Sequence, residues 1–191
     1  MSMTVENEGA KLTLHRSVVL VGMMGSGKTA IGRALAGKLN VPCLDSDAEI
    51  VEAAQTSIAE IFERDGEAFF RKREAEVIER LISGEPCILS TGGGAFMSER
   101  NRKTIEEKGV SVWLNADLDL LWERVRHKDT RPLLRTTDPY QTLSQIFAER
   151  TPIYQKAVLS LPVQDGASID ETTDQTIALL LTRPEILERM E

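Results

Sequence analysis

The stretch Gly22-Met23-Met24-Gly25-Ser26-Gly27-Lys28-Thr29 constrains this chain more than any other, because it fits the phosphate-loop pattern of Gly, four residues, Gly, Lys and Ser or Thr. Its surroundings fit as well. Ser17 to Val21 is an apolar, β-branched run suited to a strand buried on both faces, and Ile31, Leu35 and Leu39 recur afterwards at helical spacing. Glycines between a strand and a helix let backbone N–H groups turn toward a polyphosphate, with the positive end of the helix behind them. Gly25, Ser26, Gly27, Lys28, Thr29 and Ala30 are therefore read as a nucleotide-binding segment. Lys28 is expected to reach the β- and γ-phosphates, and Thr29 to offer its hydroxyl to Mg²⁺.

Further apolar runs at 41–44, 87–90, 110–114 and 159–163 alternate with helical patterns. This alternation predicts one P-loop domain over 1–191, a five-stranded parallel sheet flanked by helices in three α/β/α layers. Ser57 with Glu60 and Ser168 with Glu171 have capping-box spacing, and Ser98 and Asp117 stand where further helices can be capped. A long helix from Glu67 to Ile82 carries Arg71, Lys72 and Arg73 in its first turns, where they oppose the helix dipole and a ligand or solvent must compensate. Residues 1–16 read as a loose N-terminal tail. The basic, proline-broken segment at about 126–138 reads as a lid.

In a parallel sheet, ligands bind at the carboxyl ends of the strands. The phosphate loop, Asp45-Ser46-Asp47 and Gly92-Gly93-Gly94 each follow a strand-like run, so one crevice is expected to hold all three. With no Asn-Lys-x-Asp and no Asp-x-x-Gly in the chain, a small-molecule kinase is favoured over a guanine-specific switch. The net charge of −7 argues against nucleic-acid binding, which needs clustered Lys and Arg, yet an anionic small substrate requires only a local basic cluster. No apolar run approaches the ~20 residues of a membrane span. Cys43 and Cys87 lie in apolar runs and read as small buried hydrophobes, in keeping with a reducing cytoplasm. His15 and His127 lack partners at metal-ligand spacing and read as surface histidines.

Taken in order, Gly-Ser-Gly-Lys-Thr, Asp45-Ser46-Asp47, Phe70-Arg71-Lys72-Arg73-Glu74, Gly92-Gly93-Gly94, Arg131-Pro132-Leu133-Leu134 and Arg150-Thr151-Pro152-x-Tyr154 resemble the shikimate kinases from about residue 18 to 181. The resemblance implies a nucleoside-monophosphate-kinase-like fold with an acceptor-binding region at about 48–82. It implies transfer of the γ-phosphoryl of ATP to the 3-hydroxyl of shikimate, on the route to chorismate, by a cytoplasmic monomer with Mg²⁺ as cofactor. On the same ground Asp47 would orient or deprotonate the hydroxyl and Asp45 would join the Mg²⁺ shell. Arg71 and Arg150 would hold the substrate carboxylate, with Gly92, Gly93 and Gly94 around the ring. Arg131, in the lid, would stabilise the transferring phosphoryl group, and Arg124 would stack on adenine. A kinase for another sugar acid, such as gluconate, and a non-catalytic nucleotide-binding relative remain the competing readings.

Overall fold

In the computed structural model, which describes residues 11–128 and 132–190, strand β1 (Lys11–Leu14) leads into β2 (Ser17–Val21), whose five residues are all buried. Helix α1 (Lys28–Leu39) follows, buries Ile31, Leu35 and Leu39, and stops at Asn40 in the left-handed region. Next come β3 (Cys43–Asp45), α2 (Ser46–Ala54), α3 (Ile58–Asp65) and α4 (Glu67–Ile82). After β4 (Ile88–Ser90), helix α5 (Glu99–Lys108) runs directly into β5 (Gly109–Ala116) and then α6 (Leu118–Val125). The chain continues through α7 (Pro139–Tyr154), β6 (Leu159–Val163), α8 (Ile169–Leu181) and β7 (Leu187–Met190).

The main sheet is parallel, in the order β3-β4-β2-β5-β6. The step from β2 to β3 runs one way across it and every later step runs the other way, so right-handed crossovers put α1 on the face opposite α4 and α5. In agreement, α1 packs on α8 and α4 packs on α5, leaving the buried strands between two helical layers. The reversal of direction beside β2 opens the crevice in which such sheets bind ligands. Pro162, lacking an N–H, is tolerated because β6 is an edge strand that pairs only with β5.

Both expected capping boxes are present, each with the Ser hydroxyl accepting from the third helical N–H. Four features depart from the sequence reading. The tail expected over 1–16 is not loose in its second half: Lys11–Leu14 pairs antiparallel with Leu187–Met190, and Leu14 and Leu187 are buried in that clasp, while residues 1–10 lie outside the described residues. Cys43 is exposed, because β3 is the other edge strand; Cys87 is buried as expected. Asp117 precedes α6 without a side-chain capping bond. Finally, the basic turn of α4 finds acids on its own helix, Arg71 with Glu74 and Glu67 and Arg73 with Glu76. Among the described residues, no helix is long and apolar enough to cross a membrane.

Candidate active site

Lys28 is the first residue of α1, preceded by a loop in which Gly22, Gly25 and Gly27 all have positive φ. At Gly25, where φ is 82°, a Cβ would also lie 2.8 Å from the Val125 side chain, so both conformation and space demand glycine. The Lys28 ammonium folds over the loop and donates to the carbonyls of Gly22 and Met23 at 2.8 and 2.9 Å. Arg124, on the last turn of α6, donates to the Gly25 carbonyl at 3.1 Å, which lays its guanidinium against the same loop. Thr29 is exposed at the start of the helix.

The end of β4 is bonded to this loop region. Ser90 donates to the Lys28 carbonyl at 3.1 Å and Thr91 to the Leu20 carbonyl at 3.0 Å, which fixes where Gly92-Gly93-Gly94 emerges. Each glycine faces a different side chain. A Cβ on Gly92 would lie 2.9 Å from both carboxylate oxygens of Asp47, one on Gly93 3.1 Å from Arg150 Nη1, and one on Gly94 2.5 Å from Arg71 Nη2. The three functional groups thus close upon a turn that has no room for side chains of its own. The cleft has a volume of about 260 Å³, and Met24, Ile58, Phe62, Phe70 and Leu133 form its apolar lining.

Asp47 reaches this place because Asp45 caps α2, its Oδ1 accepting from the backbone N–H groups of Asp47 and Ala48 at 2.9 and 3.1 Å. Burial pushes the Asp47 carboxyl above the ordinary range and the charge of Asp45 adds to this, while Lys28 and Arg71 pull the other way. Arg71 is held by Glu74, whose two oxygens accept from Nη1 at 3.1 and 2.9 Å. Glu74 is 1% exposed, and burial raises its carboxyl despite the opposing hydrogen bond and charge of Arg71. The guanidinium also lies over the Phe70 ring, 5.2 Å from its centroid, and Phe70 packs against Phe62. Arg150, on α7, completes the cleft.

The structure therefore brings together Asp47, Arg71, Arg150 and the three glycines, with Lys28 close enough to act on the Asp47 carboxyl. Arg131 lies outside the described residues. The sequence reading assigned no role to Glu74, although a signal existed: Phe70, Glu74, Ile78 and Ile82 recur every fourth residue, and all are buried, so an acid stands in the apolar row of α4. Ile58, Phe62 and Phe70 belong to a small cluster with Ile50 and Ile61, apart from the main core and open to the cleft.

A family model described as "Shikimate kinase" matches residues 24–181. The chain is 61% identical over 181 residues to a shikimate kinase of Ruegeria pomeroyi, an alignment covering 95% of this chain and 93% of the relative. The structure superposes with a TM-score of 0.82 on the shikimate kinase of Acinetobacter baumannii in complex with shikimate, at 36% identity over 87% of this chain and 93% of the other. A gluconokinase from Sinorhizobium meliloti aligns with a TM-score of 0.56 at 17% identity, covering 86% of this chain and 91% of that one, a likeness of fold alone.

Proposed function

The chain belongs to the shikimate kinase family, and from that premise we propose how its residues divide the transfer of the γ-phosphoryl of ATP to the 3-hydroxyl of shikimate. The observation that carries the assignment is the convergence of one carboxylate and two guanidiniums on Gly92, Gly93 and Gly94. Shikimate presents a carboxylate for planar, bidentate donors at one end and hydroxyls for a carboxylate and backbone groups at the other. Arg71 and Arg150 hold the carboxylate. Glu74 fixes Arg71 by occupying Nη1, which leaves Nη2 facing the glycine turn.

Asp47 accepts the proton of the 3-hydroxyl as that oxygen bonds to the γ-phosphorus and the bond from phosphorus to the ADP oxygen breaks. Its raised affinity for a proton suits the role, since the acceptor hydroxyl is a weak acid. Lys28 leaves the loop carbonyls for the phosphates, Arg131 attends the transferring group, and Arg124, bonded to the Gly25 carbonyl, covers adenine. Mg²⁺ is commonly held by phosphates, water and one or two side chains rather than by an all-protein cage. Thr29 would supply a hydroxyl and Asp45 a contact through water, since one of its oxygens already caps α2. When bound, the ion would draw charge from the phosphate oxygens. The reading is that of a cytoplasmic monomer acting on two small-molecule substrates, shikimate and ATP.

Coupled measurement of ADP release with shikimate, quinate and gluconate tests this reading. Shikimate is expected to drive release at least ~100-fold better, by kcat/KM, than either alternative. Equal release with gluconate would overturn the acceptor assignment.

A further inference from the structure

The Tyr154 hydroxyl takes no part in the chemistry above, yet it is bonded to the backbone that the acceptor must approach. Tyr154 is the last residue of α7, one helical turn beyond Arg150, and its side chain is wholly buried. Its hydroxyl donates to the Gly93 carbonyl at 2.6 Å. The ring lies nearly parallel to Phe96 and Trp113, with centroids 6.3 and 6.1 Å away. Arg150 lies on the same side of Gly93 as this hydroxyl: a Cβ there would be 3.1 Å from Arg150 Nη1 and 3.9 Å from the Tyr154 oxygen. Burial pushes the phenol up to about 12, against the pull of Arg150, so the hydroxyl keeps its proton at any ordinary pH.

A planar trans peptide points its C=O and the following N–H in opposite directions. The chain has no cis peptide among the described residues, so fixing the Gly93 carbonyl toward Tyr154 aims the Gly94 N–H the other way, away from that hydroxyl. We propose that Tyr154 is a positioning residue for the acceptor, its hydroxyl setting both the direction of the Gly93–Gly94 peptide and the gap between that peptide and Arg150. The proposal rests on the reading that Arg150 holds the acceptor carboxylate. A tyrosine that served the core alone would need only its ring, and the stack on Phe96 and Trp113 already provides that.

Tyr154→Phe keeps the ring and removes the hydroxyl, and with it both the bond donated to Gly93 and the contact with Arg150. The KM for shikimate is expected to rise about fivefold or more, exceeding any change in kcat or in the KM for ATP. Protection of the folded protein against heat by added shikimate is expected to weaken by a similar factor in concentration, a reading that needs no turnover. The double variant with Arg150→Lys is expected to show a KM increase smaller than the product of the two single increases, because both act on one turn. A lowered melting temperature with unchanged shikimate KM, or equal rises in both KM values, overturns the proposal. If Arg150→Lys itself leaves the shikimate KM unchanged, the acceptor reading fails first; if Arg150→Lys raises it and Tyr154→Phe does not, only the role of Tyr154 falls.

Discussion

The phosphate loop and the cleft beside it meet at Met24, yet the loop is one run of consecutive residues from Gly22 to Thr29, whereas the cleft draws its charged side chains from α2, α4 and α7, far apart in the chain. Local conformation sets the course of the loop, through positive φ at Gly22, Gly25 and Gly27 and the helix that begins at Lys28, and Val125 and Arg124 of α6 pack against it. The cleft depends on tertiary packing: Asp47 on the Asp45 cap, Arg71 on buried Glu74, and Arg150 on the seat of α7 beside the glycine turn. Damage to the loop should therefore act on catalysis as a whole, and damage to the cleft should act selectively on the acceptor.

The largest effect is expected from Lys28→Ala. Removing the ammonium takes away the charge that meets the phosphates, so turnover should fall by about 10³-fold or more. The melting temperature should move by ~4 °C or less, since the bonds to the Gly22 and Met23 carbonyls are made by a side chain that is only partly buried. Activity assays with calorimetry check both parts, and near-normal turnover in folded protein would erase the distinction between loop and cleft.

Asp47→Asn should lower kcat by ~100-fold or more, because the amide keeps the shape but cannot take the proton. Its stability should move the other way. A carboxyl whose folded pKa is raised binds its proton more tightly in the folded state, so its stabilising contribution is full below the unfolded pKa and is lost as pH rises through the folded one. The variant escapes that loss and should melt at or above the parent temperature at neutral pH. In the parent, activity needs the ionised form, so the acidic limb of kcat/KM for shikimate should lie above the ordinary aspartate range near ~3.9. A variant that melts well below the parent, or an acidic limb at or below that range, would show that burial does not set the behaviour of this carboxyl.

A smaller effect is expected on the nucleotide side. Arg124→Ala removes the guanidinium that lies against Gly25, and should raise the KM for ATP by about two- to tenfold while leaving that for shikimate in place. Parallel saturation curves would show it. A change confined to shikimate would mean that α6 serves the acceptor half instead.

The same contrast governs what could be read from the residues alone. The loop was legible because all its information lies in one run with its strand and helix attached, and the five parallel strands followed from the alternation around it. Arg71 and Arg150 became legible only through the resemblance, since nothing local says that residues so far apart in sequence face one glycine turn. Helix α2 escaped notice because it buries only Ser46 and Ile50, too thin a stripe for helical periodicity to show. The β1–β7 clasp escaped because it pairs the two ends of the described chain, and short strands with few buried positions carry little pattern of their own. Glu74 was visible as a motif letter, but its function as the support of Arg71 needed the buried geometry.

The division between the halves rests most directly on the two arginines. Arg71→Lys and Arg150→Lys keep the charge and lose the planar fork, and each lost charge-assisted hydrogen bond is worth ~1.5–3 kcal/mol, or about ten- to a hundredfold in affinity. The deciding measurement is a pair of saturation curves on each variant, with shikimate varied at saturating ATP and ATP varied at saturating shikimate. The account predicts a shikimate KM raised several-fold to a hundredfold and an ATP KM within about twofold of the parent. Shikimate curves unchanged in both variants, or ATP curves shifted as far as those for shikimate, would contradict it.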